Sequence, residues 1–517
     1  MKPSDIKNRN KYFIFSAAIV VFAIISRFIF LGDKPLHHDE GMLSYFAWRL
    51  LDAKEYTYTP QIHSPILFYV QALLYFVLGV NDTISKVGPA IFGVALVSIP
   101  LFFHRLLSKR VAILISIGFL ISPITLYYSR FLVHTTMVIV FWLLTVLFIY
   151  KYIKDQKTST LYLAFGSLAF AFGTSETSYI FLAVVGLYLL TLFLVFPKSA
   201  KHNFQRLKNL VFDNYLDFIT AFLIFVLIWS AVYSVGFTNP ESLHRSLPLL
   251  NDESTGLGFW LAQNPKKLGG QPWHYYLILA LVYETFFVFG ILGFIYKFIF
   301  GKKSAFKLFI LVWALGTLGI YSWAGEKFPW LFLPSLLPMI FATGWFLGEN
   351  WSKCKFFIKI FWIVIGFWTV FVTIRLVYVS PADTNELAVY VQTPPSFKSV
   401  TQEITASCEE TNDKNCVLID SKISWPLSWS FRNFSTLIIT DNYGIQPTTK
   451  YMIVGSESIA KMEEPKDMNK KVVWIRDWWV PDKCEKANCL GRYLKYYFLR
   501  QTWNGKGGYD VYIYSRP

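Results

Sequence analysis

Apolar stretches close to the length that crosses hydrocarbon recur from Tyr12 to Val379 and stop at Ser380. They predict about eleven transmembrane helices, near residues 12–31, 83–103, 111–127, 133–150, 160–174, 178–196, 215–236, 274–299, 306–323, 330–348 and 358–379, with ends uncertain by roughly three residues. After Ser380 the pattern changes to short apolar runs separated by polar clusters. Val417-Leu418-Ile419, Tyr451-Met452-Ile453-Val454, Val472-Val473-Trp474-Ile475 and Val511-Tyr512-Ile513-Tyr514 predict strands. Helices are expected at about 396–408, 425–431 and 490–499. The expected fold class is a mainly α polytopic membrane protein, 1–379, followed by a small α/β domain, 380–517.

One apolar run decides the topology. Pro65 to Val80 is short, opens with proline and contains Gln71. If it lies along the interface, the N-terminus, Arg105/Lys109/Arg110, Lys151/Lys154/Lys157, Lys198/Lys201/Arg206/Lys208, Lys297/Lys302/Lys303/Lys307 and Lys353/Lys355/Lys359 all fall on one side. A uniformly basic side is the cytoplasmic one. If it spans, the N-terminus and the later basic loops separate. The first arrangement is preferred, with an interfacial helix at about 65–79. It places the loop 32–64, the short loops around 130 and 326, and everything after 380 outside the cell membrane. The first apolar run is long, and no small-residue cleavage site interrupts it, so it is read as a retained span.

Charge and cysteines add to this picture. The net charge of +16 resides largely in short loops between spans, and no aromatic-plus-basic RNA motif accompanies it, so nucleic acid is not an expected partner. Cys408/Cys416 and Cys484/Cys489 form two close pairs in the part placed outside, whereas Cys354 stands alone in a loop placed inside. Disulfides belong on the oxidising side.

The densest polar motif follows the first span: Pro35-Leu36-His37-His38-Asp39-Glu40-Gly41. Ionisable groups at the edge of hydrocarbon are costly and tend to be kept for function. Leu43, Phe46, Ala47, Leu50 and Leu51 recur at helical spacing after it, so Asp39 and Glu40 start an amphipathic helix whose dipole favours their ionised forms. A positioned carboxylate can take the proton of an acceptor hydroxyl, and Asp39 is the candidate base. Glu40, His37 and His38 are candidates to orient the acceptor or hold Asp39. His63, which closes the same loop, is a further candidate. A divalent ion on His38, Glu40 and His63 is the metal option, although adjacent histidines form no recognised metal spacing. On the same side Arg130 ends a span, and Lys327 sits in a very short loop beside Glu326. Either could neutralise a lipid phosphate; snorkelling to the interface is the plain alternative for each. Glu176 is an outer-end carboxylate placed to pair with one of them.

These residues carry a resemblance. His37-His38-Asp39-Glu40 with Tyr45-Phe46-Ala47-Trp48-Arg49-Leu50, then His63-Ser64-Pro65, Ser122-Pro123 with Tyr127-Tyr128-Ser129-Arg130, Gly325-Glu326-Lys327-Phe328-Pro329-Trp330, Trp425-Pro426-Leu427-Ser428-Trp429 and Tyr509-Asp510-Val511-Tyr512 follow one another in an order that resembles the GT-C glycosyltransferase superfamily. The likeness is to its protein O-mannosyltransferase and aminoarabinose transferase-like branch, and within that to the flippase activity-associated membrane proteins. The resemblance implies a polyprenyl-phosphate sugar donor, an inverting transfer on the outer face to a protein, lipid or glycan acceptor, the acidic pair Asp39 and Glu40 as catalytic residues with Asp39 as the base, and Arg130 as the arginine that the superfamily tends to need between spans. The competing expectation is a lipid-linked sugar translocator or a non-catalytic accessory subunit of a glycosylation system. For that reading Glu284, inside the run 274–299, is the residue to watch, since transporters tend to carry charge at the bilayer midplane.

Overall fold

A computed structural model describes residues 3–54, 56–63, 65–197, 205, 208–411, 415–434, 437–439, 449–482 and 489–517. The chain forms two compact units. The first comprises 1–29, 55–70 and 87–377, and the second comprises 30–54, 71–86 and 378–517. Two segments from the N-terminal part thus cluster with the C-terminal residues, the first of them carrying the His-His-Asp-Glu motif.

Among the described residues, eight helices are long and apolar enough to cross a membrane: Asn10–Phe28, Asp82–Phe102, His134–Asp155, Ser178–Val195, Tyr215–Tyr233, Ala305–Trp323, Pro329–Lys353 and Phe356–Val379. The run expected to span at 160–174 is a shorter helix, Thr158–Phe172, and the stretch expected at the interface is the thirteen-residue helix Ile66–Leu78. Two expected spans are broken. The run 111–127 divides into Lys109–Ile121 and Pro123–Tyr128, because Ser122 ends one helix and caps the next, whose first residue is a proline. The run 274–299 divides at Glu284 into Tyr275–Tyr283 and Thr285–Phe300, bent by 106°; counted as one span, the pair brings the total to nine.

One side chain joins the two breaks. Glu284 is fully buried, and its Oε1 accepts from Ser122 Oγ and from the Ile124 amide, both at 2.8 Å. The carboxylate thus caps the positive end of Pro123–Tyr128 from the other broken span. Small residues set the packing of the unit's centre. The helix Leu333–Asn350 is buried almost throughout, against Thr285–Phe300, Lys109–Ile121 and Ala305–Trp323. A Cβ on Gly290 would stand 2.0 Å from Thr343 Oγ1, and one on Gly344 2.6 Å from Ile115 Cγ1.

The second unit contains a sheet of β1 (Val417–Asp420), β2 (Leu437–Ile439), β3 (Tyr451–Gly455), β4 (Asn469–Trp478) and β5 (Gly507–Ser515) in the order β2-β1-β3-β5-β4. β1 lies parallel to both neighbours, whereas β5 is antiparallel to β3 and β4. Alternate residues go to opposite faces. Ile419, Ile453, Val511 and Ile513 meet Phe397, Val400 and Ile404 of the helix Pro395–Thr411, while Leu418, Met452 and Tyr514 form a smaller core. The pair Cys408–Cys416 is a disulfide within the first core. Of the second expected pair, Cys484 lies outside the described residues.

Gly290→Val should lower the apparent melting temperature of the purified protein by the equivalent of about 1–3 kcal/mol, because the crossing has no room for a branched side chain. Gly186→Ala, on a helix face with nothing within 4 Å of the added carbon, is the control and should melt like the parent.

Candidate functional site

The motif after the first span folds as a capped helix start. His37 is the N-cap of the helix His38–Asp52: its Nδ1 accepts from the Asp39 amide (3.1 Å), and its own amide donates to Glu40 Oε2 (2.9 Å). This reciprocal box normally uses Ser or Thr, with the imidazole here in the hydroxyl's place. Accepting at Nδ1 fixes the neutral His37 ring as the Nε2–H tautomer. The two adjacent carboxylates then have different fates. Glu40 is 0% exposed, and its Oε2 also accepts from Lys34 Nζ at 2.9 Å. Lys86, itself buried, donates from Nζ to the Lys34 carbonyl, and Lys398 to the Gly32 carbonyl (3.1 Å). Glu40 therefore belongs to a lysine-braced loop and its capping box.

Asp39 has a side chain 34% exposed. Its Oδ1 lies 3.3 Å from His38 Nε2 and its Oδ2 3.6 Å from His37 Nδ1. The Arg476 guanidinium on β4 is near enough to act on its charge, and Arg476 donates to the Trp425 carbonyl at 2.8 Å. Burial pushes the His37 imidazole well below its ordinary pKa, with help from His38, Lys34 and Arg476. Burial likewise lowers His38 to about 4, against the pull of Asp39. Both rings are thus neutral near pH 7: His38 Nε2 can donate to the Asp39 carboxylate, while His37 Nδ1 is occupied in accepting from the Asp39 amide. Gly41 permits the approach of the 424–430 helix: a Cβ there would stand 2.7 Å from Pro426 Cβ. One turn along, Trp425 contacts Tyr45 and Phe46 at 5.4 and 5.7 Å between ring centres, and these half-exposed faces suit a sugar ring. His37, His38 and Asp39 are also the group, among the described residues, whose donor atoms lie within 4.8 Å of one another, whereas Glu40 of the expected metal set is bound to Lys34.

The remaining candidates lie in the first unit. Glu176 pairs with His63 at 3.1 Å and accepts from the Tyr58 hydroxyl at 2.7 Å. Burial alone would raise Glu176, but the hydrogen bond and charge of His63 hold it below its usual value. The His63 ring stacks on Trp260 (4.8 Å between centres, 7° between planes) and meets His134 at 3.9 Å. Arg130 is buried, and its Nη1 donates to the carbonyls of Ser26 (3.1 Å), Arg27 (3.0 Å) and Ile29 (2.7 Å), so it caps the end of the first helix. Lys327 donates to the Ala324 carbonyl; burial and the nearby Lys267 lower its pKa. Glu326 is half-buried beside it and acts on Tyr276 and Tyr321 through its charge.

Sequence reasoning missed Arg476, Lys34, Lys86, Trp260 and the fully buried Arg27, which donates to the Phe119 carbonyl at 2.8 Å. Arg27 and Lys86 carried a readable signal, being cations within or at the edge of apolar runs. Arg476 had none, since it reaches Asp39 from a strand more than four hundred residues away.

Replacing Glu40 alone by Met should destabilise the protein by about 3–5 kcal/mol, by leaving Lys34 charged and buried, and Lys34→Met/Glu40→Met should cost less than that single change. Thermal unfolding of these two variants and of Lys34→Met checks the cycle. His37 and His38 titrate lower in the folded than in the unfolded chain. The unfolded state therefore binds more protons as pH falls from about 6.5 towards 4, and stability falls with it. The apparent melting temperature should drop between pH 7 and pH 5, and drop less in His38→Asn.

Residues 62–229 match the family model described as dolichyl-phosphate-mannose-protein mannosyltransferase. No curated protein matches the chain. Among solved structures, ArnT from Cupriavidus metallidurans bound to undecaprenyl phosphate superposes with a TM-score of 0.59 at 11% identity, covering 86% of this chain and 93% of that one. The same enzyme in the apo state gives 0.54 at 12%, covering 88% and 94%. The shared architecture extends over nearly the whole of both chains: the protein has the polytopic fold seen in ArnT.

Proposed function

We propose that this chain is a membrane glycosyltransferase that moves a sugar, with inversion, from a polyprenyl-phosphate donor to an acceptor hydroxyl on the outer face of the cell membrane. The observation that carries the reading is the division of labour at Asp39-Glu40: Glu40 is fixed inside the loop, and Asp39 is left part-exposed between two neutral imidazoles. Three further findings support it: the polytopic fold seen in ArnT, the mannosyltransferase family segment, and the undecaprenyl phosphate bound by that structurally similar protein.

Asp39 takes the proton of the acceptor hydroxyl as its oxygen attacks the anomeric carbon; the bond from that carbon to the phosphate oxygen breaks, and polyprenyl phosphate leaves with the electron pair. His38 holds the carboxylate in register, and His37 holds the Asp39 backbone amide. The Arg476 guanidinium stands near enough to act on the carboxylate. The phosphate is assigned to Arg130 and Lys327. His63, Glu176 and Glu326 are assigned to orienting the substrates. No step is routed through a metal.

A second reading, translocation of a lipid-linked sugar without transfer, draws on the broken span at Glu284, since broken helices recur in transporters. The capping role of that carboxylate gives the break a structural cause and weakens this reading.

Transfer from a radiolabelled polyprenyl-phosphate sugar in proteoliposomes separates the two. Asp39→Asn should reduce transfer by about 10²–10⁴-fold with donor binding retained. Glu40→Gln, measured at a temperature where it stays folded, should keep most of it. Equal transfer by both variants and the parent removes the assignment, and movement of donor across the bilayer with no transfer favours the second reading.

A further inference from the structure

The helix Cys489–Leu499 in the second unit is fastened from one side. Tyr496 is buried and stacks on Trp479 at 5.0 Å between ring centres. Its hydroxyl donates to the Asn385 carbonyl (2.9 Å) and accepts from the Leu387 amide (3.0 Å). Arg500, one residue past the helix, is buried and paired with Glu386 at 2.8 Å. The opposite side faces outward. Leu490, Leu494 and Phe498 recur at a spacing of four, with Tyr493 between them, and are 74, 47, 52 and 49% exposed respectively. At 100° per residue these four fall within one arc of the helix. Trp503 meets Tyr493 edge-on at 5.4 Å and continues the patch. Arg492 and Lys495 are exposed on the remaining arc, and the helix carries no acidic residue.

We propose that this helix is a membrane-surface element, its apolar stripe entering the headgroup–acyl boundary of the bilayer and its two cations meeting anionic headgroups. The composition fits that phase. Leucine and phenylalanine on one face, tyrosine and tryptophan at its margin, and basic residues without acids on the other form the pattern that lies in the interfacial plane. Cations near an anionic leaflet add attraction that a neutral surface or a second copy of the same basic helix does not supply. Chain continuity adds to this, because the apolar helix Phe356–Val379 runs directly into this unit at Tyr378. A lipid surface is therefore held at high effective concentration, so even weak intrinsic affinity suffices. The inference is independent of the proposed transfer chemistry.

The test uses the full-length protein, one copy per nanodisc, in equal parts phosphatidylcholine and phosphatidylglycerol. Cys354, the free cysteine among the described residues, is replaced by Ser, and an environment-sensitive fluorophore is attached at Leu494→Cys or, separately, at Arg492→Cys. The probe at 494 should be quenched several-fold more by nitroxides on the acyl chains than by aqueous iodide, and the probe at 492 should show the reverse. Equal iodide quenching at both positions overturns the proposal. So does a probe at 494 shielded from both quenchers, which would put protein on the stripe. Leu490→Glu/Phe498→Glu, which alters only exposed positions, should cut the lipid quenching at 494 by at least half with the melting temperature unchanged. Undiminished quenching in that variant would show that the stripe is not what seats the helix.

Discussion

A buried helix end leaves amides or carbonyls that no water can reach, and this chain answers that constraint with polar and charged side chains. Arg130 takes the carbonyls at the end of the first helix, and Glu284 takes the amide end of Pro123–Tyr128. Arg27 reaches the Phe119 carbonyl, close to where the helix Lys109–Ile121 ends. Each is a polar side chain that is costly to bury alone and whose partner is a backbone dipole with the same problem. The broken spans exist because these pairings make a break affordable. Arg27 is thereby part of the frame, and the guanidinium of Arg130 is anchored to it through Nη1.

The same economy separates chemistry from structure in the second unit. Two consecutive carboxylates differ by one methylene and by about a third of a helical turn. That turn sends Glu40 inward to Lys34 and the His37 amide, and leaves Asp39 at the rim beside His38. Lys86 and Lys398 bind carbonyls of the same loop, so Asp39 sits on a segment held at several points. The role proposed for Asp39 needs that rigidity, since small misplacements of a reacting group cost large factors in rate.

Most of the helices and four of the five strands were legible because burial demands long apolar runs in lipid and short alternating ones in a domain. β2 escaped because three residues are too few to show alternation. The breaks at Ser122 and Glu284 escaped for a different reason. Ser-Pro is a helix-start signal, but its acceptor lies 162 residues away, and no local pattern announces it. The site was legible as a motif and not as a geometry. His37-His38-Asp39-Glu40 stood out by charge density, yet which carboxylate is spent on Lys34, and that Arg476 stands near Asp39, depend on contacts made only in the folded chain.

The bend at Glu284 sets a length. Rods of nine and sixteen residues measure about 13 and 24 Å, and joined at 106° their outer ends lie only about 24 Å apart however the pair is tilted. Hydrocarbon is about 30 Å thick, so the pair falls short by roughly 6 Å. A corner of this kind serves a broken span or a re-entrant loop, and the two helices alone do not make a straight crossing.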